Sequence, residues 1–129
     1  MTQISVKVDE APAPVGPYSP AIVWQNLVFI SGQGPLNPET GQPSRGDITE
    51  QTNQVLKNID TLLKATGSSR SQVLKATVYL ADIADFPKMN AMYAEFFQGT
   101  TYPARTTIQA AALPLNIGVE IDVIAYRLD

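Results

Sequence analysis

The chain has 129 residues, of which 44% are hydrophobic, and a formal net charge of −3. It contains no histidine and no cysteine, which excludes a Ser-His-Asp triad, an imidazole general base, thiolate catalysis, disulfides and metal sites built on His or Cys. Its nine Lys and Arg residues are scattered without a basic run, so broad contact with nucleic-acid phosphates is disfavoured.

Length and composition are typical of one globular domain, and we expect a single domain over residues 1–129. No segment approaches the ~18 apolar residues that a membrane-spanning helix needs. Residues 1–10 alternate apolar and polar side chains and lack the apolar core of a signal peptide. A cytoplasmic protein is therefore expected.

Short β-forming runs open the chain. Apolar and polar residues alternate over residues 3–8, which predicts a first strand. Two further apolar runs, Ala21–Trp24 and Leu27–Ser31, flank Gln25 and Asn26, and this spacing predicts a tight hairpin. The proline-rich segment before the hairpin predicts a loop.

The clearest helix is predicted from Asp47 to Thr66, because apolar residues recur there every three or four positions. Asp47 or Thr49 is suited to cap its start with a side-chain oxygen. Gly67 follows its end, where a residue of left-handed conformation is common.

The rest of the chain predicts a strand, a second helix and two more strands. Their predicted bounds are Val73–Leu80, Asp85–Phe97, Thr106–Ala112 and Val119–Arg127. In the first of them, alternation places Leu74 on one face with Ala76, Val78 and Leu80. Asp85 is the expected N-cap of the second helix, and Pro87 is tolerated in its first turn.

The predicted order is β-β-β-α-β-α-β-β, an α+β arrangement. Each helix joins two strands by a connection long enough for them to run parallel. Both helices carry a single apolar stripe, so we expect both to cover the same face of the sheet. The strands are apolar on both faces, and the uncovered face predicts oligomerisation.

Two isolated charges stand out in the last third of the chain. Arg105 is the only cation between Lys88 and Arg127, and Glu120 is the only acid between Glu95 and Asp122. Arg binds carboxylates through a planar fork of N–H groups, so the pair suggests a small carboxylate-binding pocket. Taken singly, Arg105 fits a surface residue equally well, and Glu120 fits the outward face of a strand better than a functional site.

Five short motifs occur in the order and spacing found in one protein family. They are Gly16-Pro17-Tyr18-Ser19-Pro20-Ala21, Ser31-Gly32-Gln33, Met89-Asn90-Ala91-Met92-Tyr93, Pro103-Ala104-Arg105 and Val119-Glu120-Ile121. Together they span nearly the whole chain, which resembles the Rid family (RidA/YjgF, reactive-intermediate deaminases). The resemblance implies a chorismate-mutase-like fold, a mixed six-stranded sheet with two helices on one face, and a homotrimer with three pockets at its subunit interfaces.

The resemblance also implies an activity. Rid proteins with this arginine are hydrolases of enamines and imines such as 2-aminoacrylate, and they release a 2-keto acid and ammonia without a metal or cofactor. By this resemblance Arg105 holds the substrate carboxylate and Glu120 serves the attacking water. Tyr18, Ser31, Asn90 and Thr107 are expected to line the pocket.

The chain departs from the family pattern at two adjacent positions. Thr106 stands where a small Ser-like residue is usual, and Thr107 where many members have cysteine. Thr107 retains its backbone N–H, which is available to a substrate, whereas its branched side chain is expected to narrow the pocket. The physiological imine is left open.

Three other functions remain as alternatives from the sequence. A non-catalytic trimer that senses a small carboxylate would share Arg105 but would need no water site. A nucleic-acid-acting protein is disfavoured by the acidic composition. A Schiff-base enzyme using Lys75 would form a covalent adduct that borohydride traps.

Overall fold

Six strands form one mixed sheet in the computed structural model, which describes residues 2–128. The strands are β1 Ile4–Val6, β2 Ala21–Trp24, β3 Leu27–Gln33, β4 Val73–Leu80, β5 Ala104–Gln109 and β6 Val119–Tyr126, and the helices are α1 Ile48–Ala65 and α2 Phe86–Phe96. Their order along the chain confirms the predicted α+β arrangement.

The strand β6 lies at the centre of the sheet, whose order is β1-β2-β3-β6-β4-β5. It pairs antiparallel with both β3 and β4, while β4 and β5 pair parallel across the α2 connection. Successive side chains of a strand point to opposite faces. Val119, Ile121 and Val123 are accordingly buried, while the residues between them face the other side of the sheet.

Helix α1 is built as its sequence pattern predicts. Asp47 caps its start, since the side chain accepts a hydrogen bond from the backbone N–H of Glu50 at 3.0 Å. Gly67 has φ of +81°, the left-handed conformation that ends a helix with least strain. The buried stripe of this helix packs against the sheet through Ile48, Thr52, Val55, Leu56, Ile59, Leu62 and Leu63.

Asp85 is the N-cap residue of α2, as predicted, but it caps the helix by position only. Asp85 precedes α2, but its side chain makes no capping hydrogen bond. The chain enters α2 through a short 3₁₀ turn, and Asp82 caps that turn by accepting from the N–H of Ala84 at 2.9 Å. Because Asp85 already has helical backbone angles, its own side chain is not placed to cap.

Two strand predictions also need correction. The pairing of β5 with β4 covers Ala104–Gln109, so β5 begins two residues earlier and ends three residues earlier than the predicted 106–112. Leu74 is 46% exposed, whereas Val73 is buried. A register shift between Val73 and Lys75 changes the alternation at this point, and a bulge of this kind cannot be seen in the apolar pattern.

The face of the sheet opposite the helices carries exposed apolar side chains, as predicted. Trp24, Phe29 and Ile108 are between 40% and 45% exposed. Both helices contribute to a core on the other face. No helix among residues 2–128 is long and apolar enough to cross a membrane.

Candidate active site

Glu120 lies on the open face of the sheet because its neighbours Val119 and Ile121 point into the core. Its half-buried side chain borders a cavity of about 370 Å³ that Tyr18, Ser31 and Gly32 also line. A methyl group in place of the Gly32 hydrogen would come within 2.9 Å of the Glu120 carboxyl carbon. The absence of a side chain at residue 32 therefore makes room for this carboxylate.

The surroundings of Glu120 favour its protonated form. Burial raises the pKa of the carboxyl group, and the nearby Asp122 carboxylate raises it further. Asp122 in turn accepts a hydrogen bond from the Tyr79 hydroxyl at 3.0 Å. The cavity thus presents a carboxyl group whose proton affinity is higher than that of a solvated glutamate.

Ser31 joins β3 to the loop that carries Tyr18. Its hydroxyl donates to the carbonyl of Ser19 at 2.6 Å, and its backbone N–H donates to the carbonyl of Pro20 at 2.9 Å. Tyr18 is 47% exposed at the cavity mouth, where its hydroxyl accepts from the N–H of Val15 at 3.4 Å. Tyr18, Ser31 and Glu120 are therefore brought together at one cavity.

The rest of this cavity has an apolar wall. It is formed by Val15, Leu36, Pro114, Leu115 and Ile117. Leu115 has φ of +61°, a left-handed conformation that is uncommon outside glycine. The Arg45 guanidinium donates to the carbonyls of Leu115 at 3.2 Å and of Asn116 at 3.4 Å, and so supports this strained turn. Sequence reasoning missed the wall, because a scattered set of apolar residues resembles any core.

Arg105 lies on the other face of the sheet. It pairs in register with the buried Ala76, and its side chain turns toward α2. There it donates a hydrogen bond to Asn90 Oδ1 at 2.7 Å. The two residues line a second cavity of about 430 Å³ together with Tyr93, Ala94, Tyr102 and Pro103.

The charge of Arg105 is not neutralised by a protein carboxylate. Within residues 2–128 the one ion pair joins Lys64 to Asp60, on the surface of α1. The guanidinium has five N–H donors, and the bond to Asn90 is its only hydrogen bond among these residues. A partly buried cation with free donors is well suited to bind an anionic group.

Within one chain, Arg105 and Glu120 do not meet. The two cavities share no lining residue, and they lie on opposite faces of the sheet. The two charges therefore border separate cavities, the Glu120 cavity and the Arg105 cavity.

Thr106 and Thr107, which follow Arg105 on β5, also lie on opposite faces of the sheet. Thr107 shares the side of β5 that carries Arg105, but lines neither cavity, and its buried hydroxyl has no partner among residues 2–128. Thr106 points to the open face, where it accepts a hydrogen bond from Lys75 Nζ at 3.0 Å. Lys75 borders neither cavity, so the structure gives a Schiff-base role no support.

Residues 2–128 contain no group of three or more His, Cys, Asp or Glu side chains arranged to hold a metal ion. The cavity-lining groups that can act on a substrate are thus a carboxyl group, a guanidinium, hydroxyls and backbone amides. These are suited to hold a small carboxylate and to move protons to or from water.

Comparisons with known proteins place this arrangement in context. The family model described as Endoribonuclease L-PSP matches residues 8–127. The 2-iminobutanoate/2-iminopropanoate deaminase of Mus musculus is 44% identical over 122 residues, which cover 95% of this chain and 90% of that protein.

Two solved structures share the fold closely. A protein of unknown function from the conserved Rid family of Yersinia pestis superposes with a TM-score of 0.94 at 41% identity, covering 97% of this chain and 99% of that one. The TdcF protein of E. coli, solved with bound serine, superposes with a TM-score of 0.92 at 35% identity, again covering 97% and 99%.

Proposed function

This chain belongs to the Endoribonuclease L-PSP family, which includes the Rid proteins, and we propose that it is a 2-iminobutanoate/2-iminopropanoate deaminase. It hydrolyses reactive enamines and imines of small amino acids to 2-keto acids and ammonia. The single observation that carries this proposal is Arg105, a cation without a protein carboxylate among residues 2–128. The mouse relative named for this activity supports the choice of substrate class.

The substrate carboxylate binds to the free N–H donors of Arg105. TdcF binds serine, an amino acid that also carries a carboxylate, and this supports an amino-acid-like ligand for the present chain. The alkyl side chain of the substrate packs on the apolar wall of the Glu120 cavity, which includes Leu115 and Ile117. A substrate that fits such a site has an anionic group at one end and an apolar group at the other.

Glu120 moves the protons of the reaction. With an enamine such as 2-aminoacrylate, protonated Glu120 donates its proton to the terminal carbon, which gives the iminium ion and leaves a carboxylate. The carboxylate then takes a proton from water as the water oxygen bonds to the iminium carbon. Collapse of the resulting carbinolamine expels ammonia and forms the C=O bond of the keto acid. The raised pKa of Glu120 suits this alternation between acid and base.

We propose that the active protein is a homotrimer in which each site joins the Glu120 cavity of one subunit to the Arg105 cavity of the next. The exposed apolar residues Trp24, Phe29 and Ile108 support this assembly, because a face of this kind becomes stable when a partner covers it. The opposite placement of Arg105 and Glu120 within one chain supports a shared site.

The test measures imine hydrolysis directly. An amino-acid oxidase generates 2-iminobutanoate in the presence of semicarbazide, and the protein is expected to slow semicarbazone formation by consuming the imine. Arg105→Ala removes charge-assisted hydrogen bonds of about 1.5–3 kcal/mol each, so kcat/KM is expected to fall by about two to three decades. Wild-type protein that leaves semicarbazone formation unchanged would refute the proposed function.

A matched control distinguishes the loss of the Arg105 contacts from the effect of the change in net charge. Arg127→Ala removes one arginine with the same change in net charge, at a residue that borders neither cavity. It is expected to retain wild-type turnover. Wild-type protein that binds 2-oxobutanoate without consuming imine would instead favour the carboxylate-sensor alternative.

The description of the family model raises a ribonuclease alternative. The net charge of −3 and the scattered cations offer little attraction for RNA phosphates. Ribonuclease activity that survives in Arg105→Ala while imine hydrolysis is lost would reveal a separate activity.

A further inference from the structure

The Arg105 guanidinium lies over two aromatic rings of the same helix. Its guanidinium carbon is 4.7 Å from the centre of the Tyr93 ring and 5.5 Å from the centre of the Phe86 ring. Asn90 lies between these two residues in the sequence and accepts the hydrogen bond at 2.7 Å. Phe86, Asn90 and Tyr93 follow one another at spacings of four and three residues, so their side chains share one face of α2.

These contacts hold a long side chain that would otherwise be free to turn. A cation within roughly 6 Å of an aromatic ring centre is attracted to the ring face. The bond to Asn90 uses one Nη1–H of Arg105 and leaves its other donors available. The side chain is thereby ordered before a ligand arrives, which lowers the entropy lost on binding.

Tyr93 contributes its ring to this arrangement. The residue is 4% exposed, and its hydroxyl is buried without a hydrogen-bond partner among residues 2–128. Burial raises its pKa to about 12, although Arg105 acts to lower it, so the hydroxyl stays neutral and leaves the Arg105 charge uncompensated. The guanidinium carbon lies over the ring of Tyr93.

We propose that Phe86, Asn90 and Tyr93, the α2 cradle, are positioning residues that set the carboxylate affinity of the site through Arg105. Asn90 fixes the direction of one N–H group, and the two rings hold the guanidinium from α2. The cradle residues act without touching the reacting atoms. The identity of the substrate rests on the proposed function, whereas binding of a carboxylate at Arg105 is tested without turnover.

The structural alternative is that these rings serve the core alone. Tyr93 also packs on Phe97, with ring centres 4.8 Å apart. Phe96 offers a matched control, because it lies on the same helix, packs against the core and contacts Phe97, but makes no contact of this kind with Arg105. A substitution at Phe96 therefore measures the effect of aromatic packing loss in α2.

The experiment compares Tyr93→Leu, Tyr93→Phe and Phe96→Leu with the wild type. Calorimetry with 2-oxobutanoate gives a dissociation constant, and imine hydrolysis gives KM and kcat separately. Loss of the ring in Tyr93→Leu is expected to raise both Kd and KM about tenfold while kcat changes by less than about twofold. Tyr93→Phe and Phe96→Leu are expected to match the wild type in all three quantities.

A spectroscopic readout tests the geometry without any ligand. In the free wild-type protein, the NMR signal of the Arg105 Nε–H, assigned by its loss in Arg105→Ala, is expected to carry a ring-current shift. Tyr93→Phe is expected to keep that shift, whereas Tyr93→Leu is expected to reduce it. Phe96→Leu is expected to leave it unchanged.

Each outcome supports or overturns the cradle. Equal losses of affinity in Tyr93→Phe and Tyr93→Leu would show that the hydroxyl, and not the ring, is used. Equal losses in Phe96→Leu and Tyr93→Leu would show a packing effect. Wild-type affinity together with an Nε–H signal that keeps its wild-type ring-current shift in Tyr93→Leu would also overturn it. Absence of turnover in the wild type would refute the deaminase alone, because the signal and the binding still report on the cradle.

Discussion

Two residues, one with a long charged side chain and one with no side chain, shape the Glu120 cavity. Glu120 supplies a carboxyl group, and Gly32 supplies the space beside it. The backbone of Gly32 does not lie in the left-handed region, so its conformation is open to other residues. What the position requires is the room that a missing side chain leaves.

Gly32→Ala is expected to displace the Glu120 carboxylate while the fold survives, since the end of a flexible side chain can turn away. Displacement of a reacting group by about 1 Å is expected to lower kcat/KM by about a hundredfold. The measurement is imine hydrolysis, with thermal unfolding to verify the fold.

Gly46→Ala is the control for this change. A methyl group there would meet the Glu50 carboxyl group in the same way, but residue 46 lies outside both cavities. Its activity is expected to equal that of the wild type. Equal activity of the wild type and both variants would show that the space at Gly32 has no part in the reaction.

The protonation of Glu120 also affects stability. Its pKa in the folded chain is raised above that of the unfolded chain, so the folded state binds the proton more tightly. The wild type therefore loses stability as pH rises from the unfolded pKa through the folded one. Glu120→Gln lacks this titration. The free energy of unfolding of Glu120→Gln minus that of the wild type is therefore expected to increase as pH rises across the same interval.

Denaturant unfolding between about pH 4 and pH 8 measures this difference around the usual glutamate pKa. Glu39→Gln removes an exposed carboxylate outside both cavities and measures the contribution of net charge alone. Wild-type stability that stays constant or rises relative to that of Glu120→Gln as pH increases would contradict the raised pKa of this group.

At the scale of the elements, the two helices differ in how they begin. Asp47 accepts the hydrogen bond that caps α1, whereas Asp85 precedes α2 without a side-chain cap. The same residue type thus has different structural roles at two similar positions.

Asp47→Ala is expected to lower the free energy of unfolding by about 1 kcal/mol, because it leaves an amide of the first turn without its partner. Asp85→Ala is expected to change it by no more than about 0.5 kcal/mol. Urea denaturation measures the free energy of unfolding of both variants. An equal decrease in the two variants would mean that the Asp85 side chain caps α2 in solution.

At the scale of the whole molecule, the sheet separates the Glu120 cavity from the Arg105 cavity. The proposed trimer brings them together again, and it is expected to sediment at about three times the 14.0 kDa chain mass. Two inactive variants then provide a direct test of the shared site.

Arg105→Ala and Glu120→Gln are each expected to be inactive alone. When their subunits are mixed during refolding, some interfaces combine an intact Arg105 with an intact Glu120 from the other chain. Random mixing is expected to restore roughly one quarter of wild-type activity. Activity that stays at the level of the separate variants would mean that both residues come from one subunit.

The sequence by itself determined the order of the elements and the chemical groups available. The apolar stripe and Asp47 predict α1 because helix periodicity and capping are local properties. The missing His and Cys, with the isolated Arg105 and Glu120, narrow the chemistry that the chain can perform, because they depend on residue identity alone.

Tertiary structure alone decided which side chains meet. The bulge that buries Val73 in place of Leu74 depends on pairing with β6. At the entry to α2, the side-chain cap is made by Asp82 on the preceding 3₁₀ turn, while Asp85 makes none. Strand register sets Arg105 against α2 and Glu120 on the open face. Side-chain direction in a sheet depends on pairing between distant segments, so only the folded chain shows that the two charges lie on opposite faces of the sheet.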